Sequence, residues 1–131
     1  MKHQYYLKDK KATIYKRLPS TQNSNGVWIK GKVMPITAAP VWCFARQEGQ
    51  GISFSSSAKI YFNDESRLFI FCNNPHIKQG EYVLYRGLWY KIQRVYTRDD
   101  YAGDMFVYVD ETAQGDWPKD SELIPYDPTK L

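Results

Sequence analysis

The chain has 131 residues, a length that suits one ordinary hydrophobic core, so we expect a single domain. Its 43% hydrophobic and 16% aromatic residues exclude an intrinsically disordered chain. The net charge of +4 conceals an asymmetry, because residues 1–33 carry eight Lys or Arg against Asp9, whereas residues 99–131 carry nine Asp or Glu against two Lys. Such polarity predicts either association, with a differently charged partner or head to tail between copies, or neutralisation within one fold, and both readings remain open.

The N-terminal segment "MKHQYYLKDKKA" is basic and lacks the apolar stretch of a signal peptide. No later segment approaches the roughly 20 apolar residues of a membrane span. We therefore expect a protein that is made and used in a cytoplasm, without a membrane partner. Residues 1–11 are predicted to form a basic arm that makes contacts through Lys8, Lys10 and Lys11.

Segments rich in β-branched and aromatic residues follow one another over residues 12–111, separated by turn formers such as "PSTQNSNG". No segment repeats apolar residues at helical spacing for long enough to predict an amphipathic helix. The sequence therefore predicts an all-β domain over 12–111, a small β-barrel or sandwich with a long mobile loop and extended terminal arms. The predicted strands are 12–18, 27–34, 39–45, 58–62, 67–72, the hairpin 80–95 and 104–111.

Two cysteines, Cys43 and Cys72, lie within apolar strand-like segments. Buried free thiols are common in such segments, and two cysteines do not suggest a disulfide framework. Both are predicted to be reduced and buried.

The segment "ARQEGQGISFSSSA", residues 45–58, is predicted to be a projecting loop. Its glycines and serines favour mobility, whereas Ile52 and Phe54 alternate with serines and could pack where copies of the chain meet. A plain surface loop is the alternative. The residues predicted to act in this loop are Gln47, Glu48, Gly49, Gln50, Gly51, Ile52, Ser53, Phe54, Ser55 and Ser56.

The segment "GEYVLYRGLWYKIQRV", residues 80–95, predicts a hairpin with a two-residue turn at Arg86-Gly87. Tyr85 would then pair with Leu88, and the loss of period two after Ile92 predicts a bulge near Gln93-Arg94. Both faces are apolar, so one is predicted to be core and the other to be covered by the chain or by a neighbouring subunit. One face has Val83, Tyr85, Leu88, Tyr90 and Ile92, and the other has Tyr82, Leu84 and Trp89.

Residues 112–131, "TAQGDWPKDSELIPYDPTKL", contain three prolines and no strand period. Four apolar residues favour an extended C-terminal arm that docks on a surface, of its own chain or of a neighbour, over a solvated tail. These contacts are assigned to Trp117, Leu123, Ile124 and Tyr126.

Residues with chemical potential do not form a recognisable catalytic or metal-binding pattern. His3 and His76 lack metal-ligand spacing, and neither cysteine has the partners of a nucleophile. Asp99, Asp100 and Asp104 do not follow the order of a calcium loop. We therefore predict no catalytic residue, no metal, no cofactor and no enzymatic activity.

The motif of the hairpin, with its neighbouring strands, resembles the head-completion proteins of tailed bacteriophages, also called stopper, head-closure or head-tail joining proteins. The resemblance is good over residues 58–111 and looser over 12–57. The matching positions of the pattern polar-x-Val-x-Tyr-x-Gly-x-x-Tyr-x-Ile-x-x-Val are Glu81, Val83, Tyr85, Gly87, Tyr90, Ile92 and Val95.

This resemblance implies a structural virion protein of the head-tail connector, or neck, that closes the DNA-filled capsid and offers a docking surface to the tail. It implies a ring of six or twelve copies, with portal and adaptor proteins above, a tail-terminator or tail-tube protein below and packaged DNA in the channel. The loop at 45–58 would project into that channel. Assembly would take place in the host cytoplasm. A tail-completion or tail-terminator protein of the same viruses is an alternative.

A nucleic-acid-binding barrel of the OB or SH3 type is a further alternative. It would present Tyr82 and Trp89 as a stacking platform for bases. Arg86, Lys91 and the basic N-terminal segment would supply charge for the phosphates.

Overall fold

The computed structural model describes residues 7–47, 53–54, 60–61, 66–97 and 103–131. Strands dominate these residues, and three short 3₁₀ helices follow the last strand, at Gln114–Asp116, Asp120–Glu122 and Pro128–Lys130. The strands are β1 (Lys10–Arg17), β2 (Thr21–Gln22), β3 (Trp28–Ile29), β4 (Val33–Pro35), β5 (Val41–Gln47), β6 (Ser53–Phe54), β7 (Ile60–Tyr61), β8 (Ser66–Cys72), β9 (Tyr82–Tyr85), β10 (Leu88–Thr97) and β11 (Asp104–Glu111).

Six of these strands form a closed antiparallel barrel in the order β1, β5, β8, β11, β10, β9, and β9 pairs with β1 to close it. Closure gives each of the six strands a hydrogen-bonded neighbour on both sides. The all-β prediction is confirmed, and of its two forms the barrel is the one that the chain adopts.

The barrel interior is filled by side chains that alternate along each strand. Phe69 is fully buried there, with its ring 5.1 Å from the ring of Tyr85 and 5.9 Å from that of Tyr90. Burial of this apolar surface is the main source of stability for the fold. The interior cluster also includes Ile14, Cys43, Phe71, Val83, Ile92, Val107 and Val109.

The hairpin β9–β10 has the predicted register, with Tyr85 opposite Leu88 and Val83 opposite Tyr90. Arg86 and Gly87 both have positive φ angles, 52° and 78°, as a two-residue turn of this kind requires. The register shifts between Ile92 and Arg94, so the predicted bulge is confirmed.

A long two-stranded ribbon was not predicted from the sequence. Arg17 of β1 is opposite Val33 of β4, and Thr21 of β2 is opposite Ile29 of β3, so the short hairpin β2–β3 continues the register of the β1–β4 pair. The single strand predicted over 27–34 is therefore wrong, because it is interrupted at residues 30–32. A Cβ atom on Gly31 would lie 1.7 Å from the carbonyl oxygen of Leu18, and this close approach requires glycine.

Several further strand bounds differ from the predicted ones. The strand β1 begins at Lys10 rather than after residue 11, because Lys10 and Lys11 pair with Cys43 and Trp42. The strand β5 extends to Gln47 through its pairing with β8, so the first three residues of the predicted loop, 45–47, belong to this strand. Of the predicted strand 58–62, the described part is β7, which pairs with β6 in a separate two-stranded sheet.

Candidate interaction surfaces

The outer face of the β9–β10 hairpin is covered by its own chain. Trp89 is only 6% exposed, and its ring lies 4.8 Å from that of Tyr15 on β1 and 6.2 Å from that of Tyr82. The prediction that Trp89 could serve as an exposed stacking platform is therefore wrong. The reason is barrel closure, which brings β1 and Tyr15 beside β9.

Arg17 links this aromatic cluster to the C-terminal arm. Its guanidinium group lies over the Tyr82 ring, donates to the carbonyl oxygen of Gly31 at 2.9 Å and pairs with the Glu122 carboxylate at 3.2 Å. The backbone N–H of Arg17 donates to Glu81 at 3.2 Å. Burial nevertheless raises the pKa of Glu81, and this hydrogen bond only partly opposes the effect.

The cations that were predicted to flank the stacking platform, Arg86 and Lys91, are exposed. The guanidinium group of Arg86 lies 5.1 Å from the centre of the Tyr85 ring at the hairpin turn. Lys91 lines a polar cleft of about 440 Å³ together with Arg17, Tyr82 and Trp117. The hairpin therefore has exposed cations, whereas Trp89 on its outer face is covered.

The C-terminal arm, residues 112–131, contacts β4 of its own chain. Leu123 forms a bridge with Val33, and the N–H of Ile124 donates to the Val33 carbonyl at 3.0 Å. The indole N–H of Trp117 donates to the Thr112 carbonyl at 2.8 Å. Of the four predicted arm residues, these three are half-buried against the chain, as is Tyr126.

The basic N-terminal third and the acidic C-terminal third meet within one chain. Lys8 pairs with Asp104 at 2.8 Å, Arg17 pairs with Glu122, and the ammonium group of Lys32 donates to the carbonyl oxygen of Ser121. These contacts support neutralisation within the fold, one of the two readings of the charge asymmetry. The other predicted arm lysines act locally: Lys10 pairs with Asp9, and Lys11 lies over the Trp42 ring at 4.5 Å.

The predicted channel loop falls mostly outside the described residues. Gln47 is the last residue of β5, and Ser53 and Phe54 form β6. Glu48, Gly49, Gln50, Gly51, Ile52, Ser55 and Ser56 lie outside the described residues.

Next to β5, the outer faces of β8 and β11 carry a second buried apolar cluster of Leu68, Ile70 and Phe106, with Phe44 and Tyr108 packed against it.

The two thiols lie in opposite environments. Cys43 is fully buried in the core, and burial together with the nearby charge of Asp9 raises its pKa to about 12. Cys72 is exposed, so the prediction that both cysteines are buried is wrong for this one. Cys72 is the last residue of β8 and follows the alternation that points Phe69 and Phe71 inward and their neighbours outward.

The predicted candidates for chemistry do not converge in the part of the chain that the structure describes. Those residues contain no group of three His, Cys, Asp or Glu that could hold a metal ion. The backbone N–H of His76 donates to the Asn74 side chain at 2.9 Å in a local turn, and Asp104 pairs with Lys8. Asp99, Asp100 and His3 lie outside the described residues.

The most exposed apolar run among the described residues is on the hairpin β2–β3. Val27, Trp28 and Ile29 are 57%, 68% and 48% exposed. Sequence reasoning assigned them to a barrel strand and so missed them as a surface. The sequence does contain a sign of this exposure. Turn-forming segments lie on both sides of these residues, "NSNG" before them and "KGK" after them, and they leave too few residues for a full barrel strand.

A mostly apolar cleft of about 390 Å³ opens beside the start of β1 and β5. Trp42, which is 56% exposed, forms one wall, and the exposed Cys72 lies at its rim. The other lining residues include Ile14, Val41, Phe71 and Ile77. The chain therefore has both a projecting apolar hairpin and an open apolar cleft, and surfaces of this kind commonly mark interaction sites.

Within the described residues, none of the helices is both long and apolar enough to cross a membrane. A comparison with protein-family models gives no match, and a search of curated proteins gives no significant relative.

Proposed function

We propose that this chain is a structural protein of the neck of a tailed bacteriophage, which closes the DNA-filled head and provides a docking surface for the tail. The observation that carries the proposal is the position of the hairpin motif. Its apolar members Val83, Tyr85, Tyr90 and Ile92 all point into the core of a closed barrel. The motif thus supplies the inward-facing residues of the hairpin, and this supports the resemblance to head-completion proteins.

The partners follow from this proposal. Copies of the chain would form a ring of six or twelve subunits in the virion neck, between portal and adaptor proteins on one side and a tail-terminator or tail-tube protein on the other. Assembly of this kind needs exposed apolar surfaces, and the described residues include the hairpin β2–β3 and the cleft beside Trp42. The packaged DNA would pass through the channel.

Residues 45–58 are the proposed channel element. A protein that retains pressurised DNA and later releases it needs a segment with two arrangements that differ by a modest free energy. The glycines and serines of this segment, with Ile52 and Phe54 between them, suit such a change. Its first three residues, 45–47, form the end of β5, a core strand that can anchor it.

The proposal is tested in the virus that encodes the chain. A nonsense mutation in the coding sequence should give heads that package DNA and then lose it, together with free tails of normal length. Purified wild-type protein added to the mutant extract should restore DNA retention and tail joining. Normal infectious particles from the mutant would overturn the proposal.

A second variant separates the loop from the barrel. Deletion of residues 49–56 should leave folding nearly intact, because long surface loops add little to stability. The expected result is a ring that assembles but retains less DNA, measured as nuclease-accessible DNA per particle. A Gly115→Ala variant is the matched control, because a Cβ at this position meets open space. Full DNA retention with normal tail joining would show that the loop does not close the head.

The same experiments separate the alternatives. A tail-terminator protein would give tails of abnormal length and stable heads. A single-strand binder would bind oligonucleotides tightly in a manner that weakens steeply with salt. Trp89, one of the two residues predicted to stack on bases, is buried, and the other, Tyr82, is half-buried.

A further inference from the structure

The hairpin β2–β3 and the cleft beside Trp42 are complementary surfaces of one chain. We propose that the hairpin of one copy inserts Trp28 into this cleft of the next copy, so that copies join head to tail. The inference rests on the proposed function for its setting, a ring of identical subunits, and it names the contact that would hold neighbours together.

The hairpin presents its apolar residues on a preformed support. The side-chain oxygen of Asn23 accepts hydrogen bonds from the backbone N–H groups of Asn25 and Val27, at 2.9 and 3.0 Å. The side-chain amide of Gln22 donates to the carbonyl oxygen of Gly26 at 2.8 Å. A surface that is already ordered loses less conformational entropy on binding, so this hairpin suits a docking element.

The cleft suits an aromatic side chain. Its volume of about 390 Å³ exceeds that of one indole ring, and its walls are mainly apolar. Trp is among the residues that dominate binding energy when they enter a desolvated pocket. Lys8 at the rim is neutralised by Asp104 at 2.8 Å, and Lys11 lies over the Trp42 ring at 4.5 Å, so one unneutralised cation stands beside the cleft.

Trp28 does not enter the cleft of its own copy. Its side chain is 68% exposed, and it is not among the residues that line the cleft. In the proposed contact, Trp28 therefore fills the cleft of another copy. Such a contact joins two different surfaces, and it generates a ring where the rotation between copies closes.

Two variants with one defect each test the contact. Trp28→Ser removes the anchor and leaves the cleft intact, whereas Cys72→Arg obstructs the rim and leaves the hairpin intact. Both positions are exposed, so both variants should fold with the wild-type melting temperature. Neither variant should self-associate, but a mixture should form a heterodimer through the one remaining pair of intact surfaces.

The measurement is a nuclear magnetic resonance titration of isotope-labelled Trp28→Ser with unlabelled Cys72→Arg, up to about 1 mM so that weak binding is detected. The amide signals of Cys72, Asn73 and Asn74 should shift with saturation. An unlabelled chain that carries both substitutions is the control, and it should cause no shift. Absence of shifts with the single variant, or equal shifts with the double variant, overturns the inference.

These outcomes are separate from those of the proposed function, because the titration uses purified chains without virus. A heterodimer together with a normal neck in the nonsense mutant would refute the proposed function and keep the contact. A neck defect without heterodimer formation would refute the contact and keep the proposed function.

Discussion

The two hairpins of this chain, β9–β10 and β2–β3, have similar local signals and opposite environments. Each combines a tight turn with aromatic and β-branched residues, yet Tyr90 of the first is 1% exposed and Trp28 of the second is 68% exposed. The difference lies in their neighbours. The first hairpin has β1 on one side and β11 on the other, whereas the second extends beyond the barrel and pairs only with itself. An apolar strand is thus a core element only where other strands flank it.

The largest expected effect is the difference in reactivity between the buried thiol of Cys43 and the exposed thiol of Cys72. At mildly alkaline pH, Cys72 should react promptly with a thiol reagent. Cys43 should react far more slowly, because its burial blocks the reagent and raises the pKa of its thiol to about 12, so that little thiolate is present. The measurement is the time course of thiol modification under native conditions.

Two controls complete this prediction. A Cys72→Ser variant should lose the fast phase, and unfolding should expose Cys43 to the reagent. Equal native reaction rates for the two thiols would mean that the barrel interior is open to solvent.

The same truncation in the two hairpins should give unequal losses of stability. Tyr90→Ala should lower the free energy of unfolding by about 3–5 kcal/mol, because it removes a buried ring. It also removes the hydroxyl that accepts a 2.7 Å hydrogen bond from Arg67. Trp28→Ala should change the free energy of unfolding by less than about 0.5 kcal/mol, because its side chain is exposed. Urea denaturation measures both.

Val83→Ala and Tyr90→Phe refine this comparison. Val83→Ala removes a smaller buried group and should cost less than Tyr90→Ala, and Tyr90→Phe isolates the lost hydrogen bond. Equal stability of Tyr90→Ala and the wild-type protein would contradict the inward orientation of this ring.

The junction between the barrel and the exposed hairpin depends on Gly31. Gly31→Ala should destabilise the chain by about 1–3 kcal/mol, since its Cβ would overlap the Leu18 carbonyl and the ribbon would have to shift. Gly115→Ala is the matched control, and it should be close to neutral. If both substitutions had the same small effect, the close approach of Gly31 to Leu18 would be wrong.

The smallest expected effect concerns pH. Burial raises the pKa of Glu81 above its ordinary value of 4.5, so the folded state favours the neutral carboxyl. This contribution to stability is fully present below the unfolded pKa and is lost as the pH rises through the folded pKa. Relative to a Glu81→Gln variant, the wild-type protein should lose stability over that interval. Parallel stability curves for the two proteins would show that the ionisation of Glu81 is not linked to folding.

The sequence alone determined the strand-rich class, the register of the β9–β10 hairpin and its bulge. These features depend on local chemistry, namely the two-residue period, the positive φ at Gly87 and the change of period after Ile92. The strand at 104–111 was predicted with the bounds that the structure gives it, because alternating apolar residues between turn formers specify a strand directly.

Tertiary structure decided which apolar faces are covered. Trp89 and Trp28 both belong to apolar strand segments, but barrel closure places Tyr15 over Trp89 and leaves Trp28 exposed. The same holds for the thiols, since the alternation that buries Cys43 against the core turns Cys72 outward at the end of its strand. A sequence pattern specifies how a strand pairs and which residues share a face, but the exposure of a face depends on contacts between residues far apart in the chain.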